Sequence, residues 1–196
     1  MSNQISRRDF LKLASMTGGG LALAVFLDGC APPTLDEATA VGVTSMPTTR
    51  DPFDWAPNIY LKLDNQGVLT VMAFRSEMGQ GIRTALAMLV ADELDVEWNA
   101  VHIEQVPADA RYGDQVTGGS QSISRSYQAV RTAGATARQM LVSAAAQAWS
   151  VDPAQCRTEA GFVIHPDGEK KSAYGDLAEA ASKLEIPRDV KVKEKS

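Results

Sequence analysis

The residues best placed for chemistry are Glu77-Met78-Gly79-Gln80-Gly81 and Thr117-Gly118-Gly119-Ser120-Gln121-Ser122. Both stretches combine glycine with uncharged hydrogen-bonding side chains. Glycine lets a ligand approach the backbone, and Gln, Ser and Thr donate and accept without adding charge. Each lies where an extended pattern gives way to a helical one. Such a junction is expected to present free amide N–H groups at a helix N-terminus, which suits an anion such as a phosphate. Two such loops point to one large, polar, phosphate-bearing ligand held by Met78, Gly79, Gln80, Gly81, Thr117, Gly118, Gly119, Ser120, Gln121 and Ser122. Glu77 reads as a cap for the following helix rather than as a general acid or base, since no neighbour is seen to tune it. Gln80 has two readings of equal weight, a pocket-facing amide or a plain turn residue. Ser120, Gln121 and Ser122 exceed what a helix cap needs.

Other chemistries are disfavoured. Neither loop is G-x-x-x-x-G-K-[ST] or G-x-G-x-x-G, so nucleotide hydrolysis and a dinucleotide fold gain no support. The two cysteines, Cys30 and Cys156, form no C-x-x-C, which argues against an iron–sulfur cluster or structural zinc in this chain. His102 and His165 fall in strand-like runs and read as structural. A formal net charge of −5 with no basic patch argues against nucleic acid as a partner.

The elements that would position the loops follow from periodicity. Alternation over Asn58–Leu63 and Val68–Phe74, around Asp64-Asn65-Gln66-Gly67, predicts a β-hairpin. Ile82, Leu86, Leu89, Val90 and Leu94 recur at helical spacing. Asp92, Glu93 and Asp95 make the far end of that helix acidic, against its dipole, so this end is expected to be exposed. Val101–Val106 reads as a strand. A long alanine-rich helix is predicted from about Ile123 to Trp149, with a packing stripe of Ala129, Ala133, Ala137, Met140, Leu141, Ala144 and Ala148. Cys156–Thr158 and Phe162–His165 read as strands, and Tyr174–Leu184 as a last helix. The basic tail from Arg188 to Lys195 reads as a solvated end or linker.

Residues 1–30 read as an export signal. Ser6-Arg7-Arg8-Asp9-Phe10-Leu11-Lys12 matches the twin-arginine pattern and precedes a short, glycine-softened apolar run. The expected location is periplasmic. Retention of the segment as an N-terminal membrane anchor stays open. Residues 31–57 read as a linker, 58–185 as one α+β domain, and 186–196 as a tail.

With these residues in view, Glu77-Met78-Gly79-Gln80-Gly81 followed by Thr84 resembles the E-M-G-Q-G-x-x-T motif of the molybdenum hydroxylases, the xanthine oxidase family. Thr117–Ser122, followed by Gln128-Ala129-Val130, resembles that family's second pterin-contacting segment. Within the family the likeness is to large subunits of the isoquinoline 1-oxidoreductase and periplasmic aldehyde dehydrogenase type, across most of 58–185. The resemblance implies an α+β molybdopterin-binding domain fragment with a small mixed sheet packed by two main helices. It also implies a molybdenum-bearing molybdopterin, for which bacterial relatives often use the cytosine dinucleotide form. The glutamine matched by Gln80 would lie close to the metal's ligand sphere, and the second segment would bind the pterin and its phosphate or nucleotide tail. The implied activity is hydroxylation of an N-heterocycle or oxidation of an aldehyde, with oxygen from water and electrons passing to a [2Fe–2S] subunit. The implied partners are that subunit, the remainder of the molybdopterin-binding subunit and, in periplasmic relatives, a cytochrome c acceptor. Family large subunits are several times longer and carry their catalytic glutamate near the C-terminal end. Glu77 is not that residue, and no catalytic residue or metal ligand is assigned here. The chain is therefore expected to be an N-terminal portion without turnover of its own. The alternative is a non-catalytic exported scaffold or assembly module, or a remnant of such an enzyme.

Overall fold

A computed structural model describes residues 53–194. The expected export signal, Cys30 and most of the expected linker lie outside the described residues.

Among the described residues, seven strands and three α-helices form two small sheets and a helical layer. Strands β1 (Asp54–Asn58), β2 (Leu61–Asp64), β3 (Leu69–Ala73) and β4 (Val101–Gln105) lie side by side in chain order. β1, β2 and β3 pair antiparallel, while β3 and β4 pair parallel, Leu69 opposite Val101 and Ala73 opposite Gln105. Parallel neighbours need a crossover, and helix α1 (Ile82–Leu94) supplies it. After β4 a polar loop leads to helix α2, 28 residues from Ser122 to Trp149. A second, antiparallel sheet of β5 (Arg157–Glu159), β6 (Phe162–Ile164) and β7 (Lys171–Ala173) follows, and then helix α3 (Tyr174–Ser182). This is the expected α+β fold. Among the described residues no helix is long and apolar enough to cross a membrane.

The core explains the arrangement. Leu61 and Leu63 alternate with half-buried Lys62 and Asp64, so β2 puts its leucines on one face. Leu69 and Val71 join them from β3, Ile82, Leu86, Val90 and Leu94 from α1, and Val130, Ala137, Met140 and Leu141 from α2. Each buried Leu, Ile or Val of this set contributes about 1.5–3 kcal/mol relative to exposure. The helices approach closely because α2 has glycine at position 134. A Cβ there would sit 2.8 Å from Glu93 Cβ and 3.1 Å from the Val90 carbonyl oxygen.

Five expectations need correction. The run Asn58–Leu63 is not one strand. Asn58 ends β1, its Oδ1 accepts the Tyr60 N–H at 3.0 Å, and the chain turns there before β2. β1 also begins inside the expected linker, anchored by buried Trp55. The packing stripe of α2 excludes Ala129 and Ala148, which are exposed, and includes Ser126, Val130, Gly134 and Ala145. The stripe drifts because a straight helix advances by 3.6 rather than 4 residues per turn.

The other two corrections concern charge. Glu93, expected at an exposed helix end, is fully buried. Arg131 Nη2 lies 2.5 Å from Glu93 Oε1, a close ion pair rather than an aligned hydrogen bond, and Arg138 Nη2 lies 3.7 Å from Oε2. Those two arginines from α2 offset the cost of burying the carboxylate. The tail, expected to be solvated, completes the cluster. Lys193 N–H donates to Glu93 Oε2 at 3.1 Å, and Arg131 donates to the Lys193 carbonyl at 2.6 Å. The Lys193 ammonium reaches Asp95 and the Asp92 carbonyl, which neutralises the acidic end of α1.

Candidate functional site

The parallel pairing of β3 and β4 decides where the two glycine stretches go. Each follows the C-terminal end of one of these strands, so both leave the same edge of the sheet. In sheets with parallel strands that edge is where ligands commonly bind.

The first loop is shaped from within. Glu77 Oε1 accepts the N–H of Gly79 at 2.8 Å and of Gly81 at 2.9 Å, and Oε2 accepts the Arg83 N–H at 3.2 Å. The Gly81 and Arg83 amides, with Gly79, hold the Glu77 carboxyl below its ordinary value. Gly79 and Gly81 have φ of 91° and 80°, a left-handed conformation that a side chain would strain. The Gln80 amide folds back onto its own loop. Its Oε1 accepts the Met78 N–H at 2.6 Å and its Nε2 donates to the Ser76 carbonyl at 2.9 Å. Glu77 is therefore the cap that its position suggested. The expectation of free N–H groups here fails, because the protein's own carboxylate takes them.

The second stretch is built differently. Gly118, Gly119 and Ser120 turn the chain into α2, with the Gln121 N–H donating to the Gly118 carbonyl at 3.3 Å. Ser120 has φ of 56°, unusual for a residue with a side chain. At the start of α2, Gln121 makes no side-chain capping bond and the first turn holds no acidic residue. Its leading amides remain directed outward, as a helix N-terminus leaves them. Ser122 is half-buried, and Ser120 and Gln121 are exposed.

The stretches meet through contacts that the motifs did not announce. The Ser76 N–H donates to Thr117 Oγ1 at 3.0 Å. Arg75, buried, reaches Ser126 Oγ at 3.3 Å and the Val116 carbonyl. Gln115 Nε2 donates to the carbonyls of Phe74 and Pro107, both at 3.2 Å. Gln105 Nε2 donates to the Ala73 carbonyl at 2.8 Å, and Gln105 Oε1 accepts from Arg83 Nε at 2.8 Å. Asp114 bridges to Arg125 at 2.7 Å; the Val116 amide and then Arg125 hold its carboxyl below the ordinary range. Their only sequence signal is a high density of Arg and Gln in otherwise polar loops. The site-edge side chains Met78, Val116 and Ile123 are apolar and exposed.

His102 is exposed on β4, and His165 packs edge-on against Trp149 with centroids 5.2 Å apart. Among the described residues no cluster of His, Cys, Asp or Glu could hold a metal ion. Cys156 is a half-buried free thiol whose pKa is raised by burial.

The fold is similar to that of CO dehydrogenase from Oligotropha carboxidovorans. The TM-score is 0.51 at 20% identity, over 60% of this chain and 15% of that one. Residues 9–195 match the molybdopterin cofactor-binding domain model, and the chain belongs to that family. It is 36% identical over 129 residues to the isoquinoline 1-oxidoreductase beta subunit of Brevundimonas diminuta, covering 62% of this chain and 16% of the relative. It is 37% identical over 121 residues to the membrane-bound aldehyde dehydrogenase [pyrroloquinoline-quinone] of Gluconacetobacter polyoxogenes, covering 62% and 15%. The chain thus spans about one-sixth of the length of these relatives.

The cofactor is therefore molybdopterin, and the geometry can be tested against it. A Cβ placed at Gly79, Gly81 or Gly118 meets nothing within 4 Å, so bare backbone faces open space at both loops. The first loop suits a neutral part of such a ligand, because Glu77 already supplies its negative charge. The second, with uncapped amides, hydroxyls and Arg125 nearby, suits an anionic part. The residues fit the group, with the two loops in unlike roles.

Proposed function

We propose that this chain forms one wall of the molybdopterin site of a larger oxidoreductase. The observation that carries the reading is the division of labour between the loops. One is closed on its own carboxylate, the other opens a helix N-terminus, and the Ser76–Thr117 hydrogen bond joins them. Gly79 and Gly81 let the pterin lie against backbone. Gln80, oriented by Ser76 and Met78, retains one amide hydrogen for a ligand. Thr117 can donate its hydroxyl hydrogen while accepting from Ser76. Ser120, Gln121, Ser122 and the leading amides of α2 take the phosphate or dinucleotide end, the cytosine form being the proposed one.

When bound, the molybdenum group supplies two-electron oxidation of a heterocycle or aldehyde with oxygen drawn from water. The residues of this chain bind and orient it; none of them is assigned the proton transfer. We therefore propose that turnover requires the remainder of a molybdopterin-binding subunit and a [2Fe–2S] subunit, with a cytochrome c as the onward acceptor. The names of the relatives support the substrate classes. Arg7-Arg8 supports periplasmic export by the twin-arginine route, which cell fractionation of an Arg7→Lys, Arg8→Lys variant tests.

The main test is co-expression of this chain with those two components, followed by molybdenum analysis and pterin fluorescence. Stoichiometric molybdenum and pterin are expected. A folded complex containing neither would favour the scaffold reading and overturn this one.

A further inference from the structure

We infer that Arg75 is a positioning residue that sets the separation of the two glycine loops and so the fit of the ligand they share. The inference rests on the reading that both loops contact one molybdopterin.

Arg75 stands between the end of β3 and Ser76, at the entrance to the first loop, with only 2% of its surface exposed. A buried cation is unfavourable unless its donors are paired. Its partners all belong to the segment around the second stretch. Nη1 donates to the Val116 carbonyl, one residue before Thr117, and Nε donates to Ser126 Oγ at 3.3 Å, just inside α2. The Asp114 carboxylate lies 3.7 Å from Nη1. The guanidinium thus brackets residues 117–122 from both sides while its backbone leads into residues 77–81.

A neutral core residue would fill this volume but would fix no direction. A guanidinium donates in several fixed directions in one plane, and a lysine ammonium cannot reproduce that fork. Asp114 does not explain the residue as a simple ion pair. It is exposed and bonds Arg125 more closely, at 2.7 Å against 3.7 Å for Arg75. The Phe74 ring lies beneath the guanidinium, 5.6 Å from ring centroid to Cζ, and steadies its plane. The adjacent Ser76–Thr117 bond is then the second point of a two-point seam between the loops. Being buried, Arg75 acts on the ligand only through the loops.

The test uses the full chain in the co-expressed complex, with Arg75→Met, Arg75→Lys and Ser126→Ala. Amide hydrogen exchange is followed in peptides covering 76–82 and 115–124, with 157–173 as the internal reference, and bound pterin is measured by fluorescence. Arg75→Met is expected to speed exchange in both loop peptides together, leave the reference unchanged, and weaken pterin retention roughly tenfold, the scale of one charge-assisted hydrogen bond. Arg75→Lys should restore it only in part, and Ser126→Ala should speed exchange in 115–124 alone. If Arg75→Met does not fold, the other two variants decide. Wild-type exchange and pterin retention in the folded variants would overturn the inference, as would faster exchange confined to the first loop. A wild-type complex that holds no pterin would instead refute the shared ligand, and the exchange data would still show whether Arg75 couples the loops.

Discussion

Glu77 shows how one carboxylate can define a loop. It takes amides of Gly79, Gly81 and Arg83, and those bonds favour its ionised form. Its folded pKa lies below the ordinary 4.5, so its contribution is fully present above that value and is lost as pH falls through the lowered one. Glu77→Gln should therefore lower the thermal midpoint at pH 7, and the gap to wild type should close in strong acid. Midpoints measured from pH 7 down to pH 2.5 check this; a gap independent of pH would show that charge is not the cause. The cap was legible because a carboxylate just before a helical pattern has few other uses. The inward fold of Gln80 was not, because a glutamine between glycines can turn either way and only the Ser76 carbonyl and Met78 amide decide.

Among the elements, the α1–α2 pair carries the most consequential charge. Glu93 is enclosed by Arg131, Arg138 and the Lys193 backbone. Removing one partner of a buried pair leaves an uncompensated charge and typically costs about 3–5 kcal/mol, whereas replacing both partners by apolar residues is often neutral or stabilising. Glu93→Leu and Arg131→Met should each destabilise strongly, and the double variant should recover much of the loss. Urea unfolding of the four proteins measures the coupling, and additive losses would contradict it. Both helices were legible from apolar spacing, with α1 starting and ending where Ile82 and Leu94 place it. The buried Glu93 was not, since it sits beside Asp92 and Asp95 in an acidic run. Its compensating cations come from another helix, and no local pattern reports them.

For the molecule as a whole, the tail and the strand pairing were the least legible features. A short, mixed-charge end looks solvated in sequence, yet residues 191–194 lie across the α1–α2 charge cluster. Truncation after Val190 removes the Lys193 amide and ammonium from Glu93, Asp95 and the Asp92 carbonyl. It should lower stability by about 1–3 kcal/mol, the cost of leaving buried polar groups unpaired. Chemical denaturation of the truncated chain tests this, and an unchanged midpoint would mean that the tail contributes nothing to stability. The hairpin and the recurring order of strand, glycine loop and helix could be read from alternation and turn residues. The parallel alignment of β3 with β4 could not, because a partner's direction leaves no mark on a strand's own alternation.

That alignment also acts as a ruler. Successive strand residues are about 3.3 Å apart, so slipping β4 by a single position against β3 would carry the second loop that far along the edge while turning its side chains to the opposite face. A ligand spanning both loops tolerates no such offset. The pairing of Ala73 with Gln105, locked by the Gln105 side chain on the Ala73 carbonyl, is thus as much a dimension of the pocket as any residue lining it.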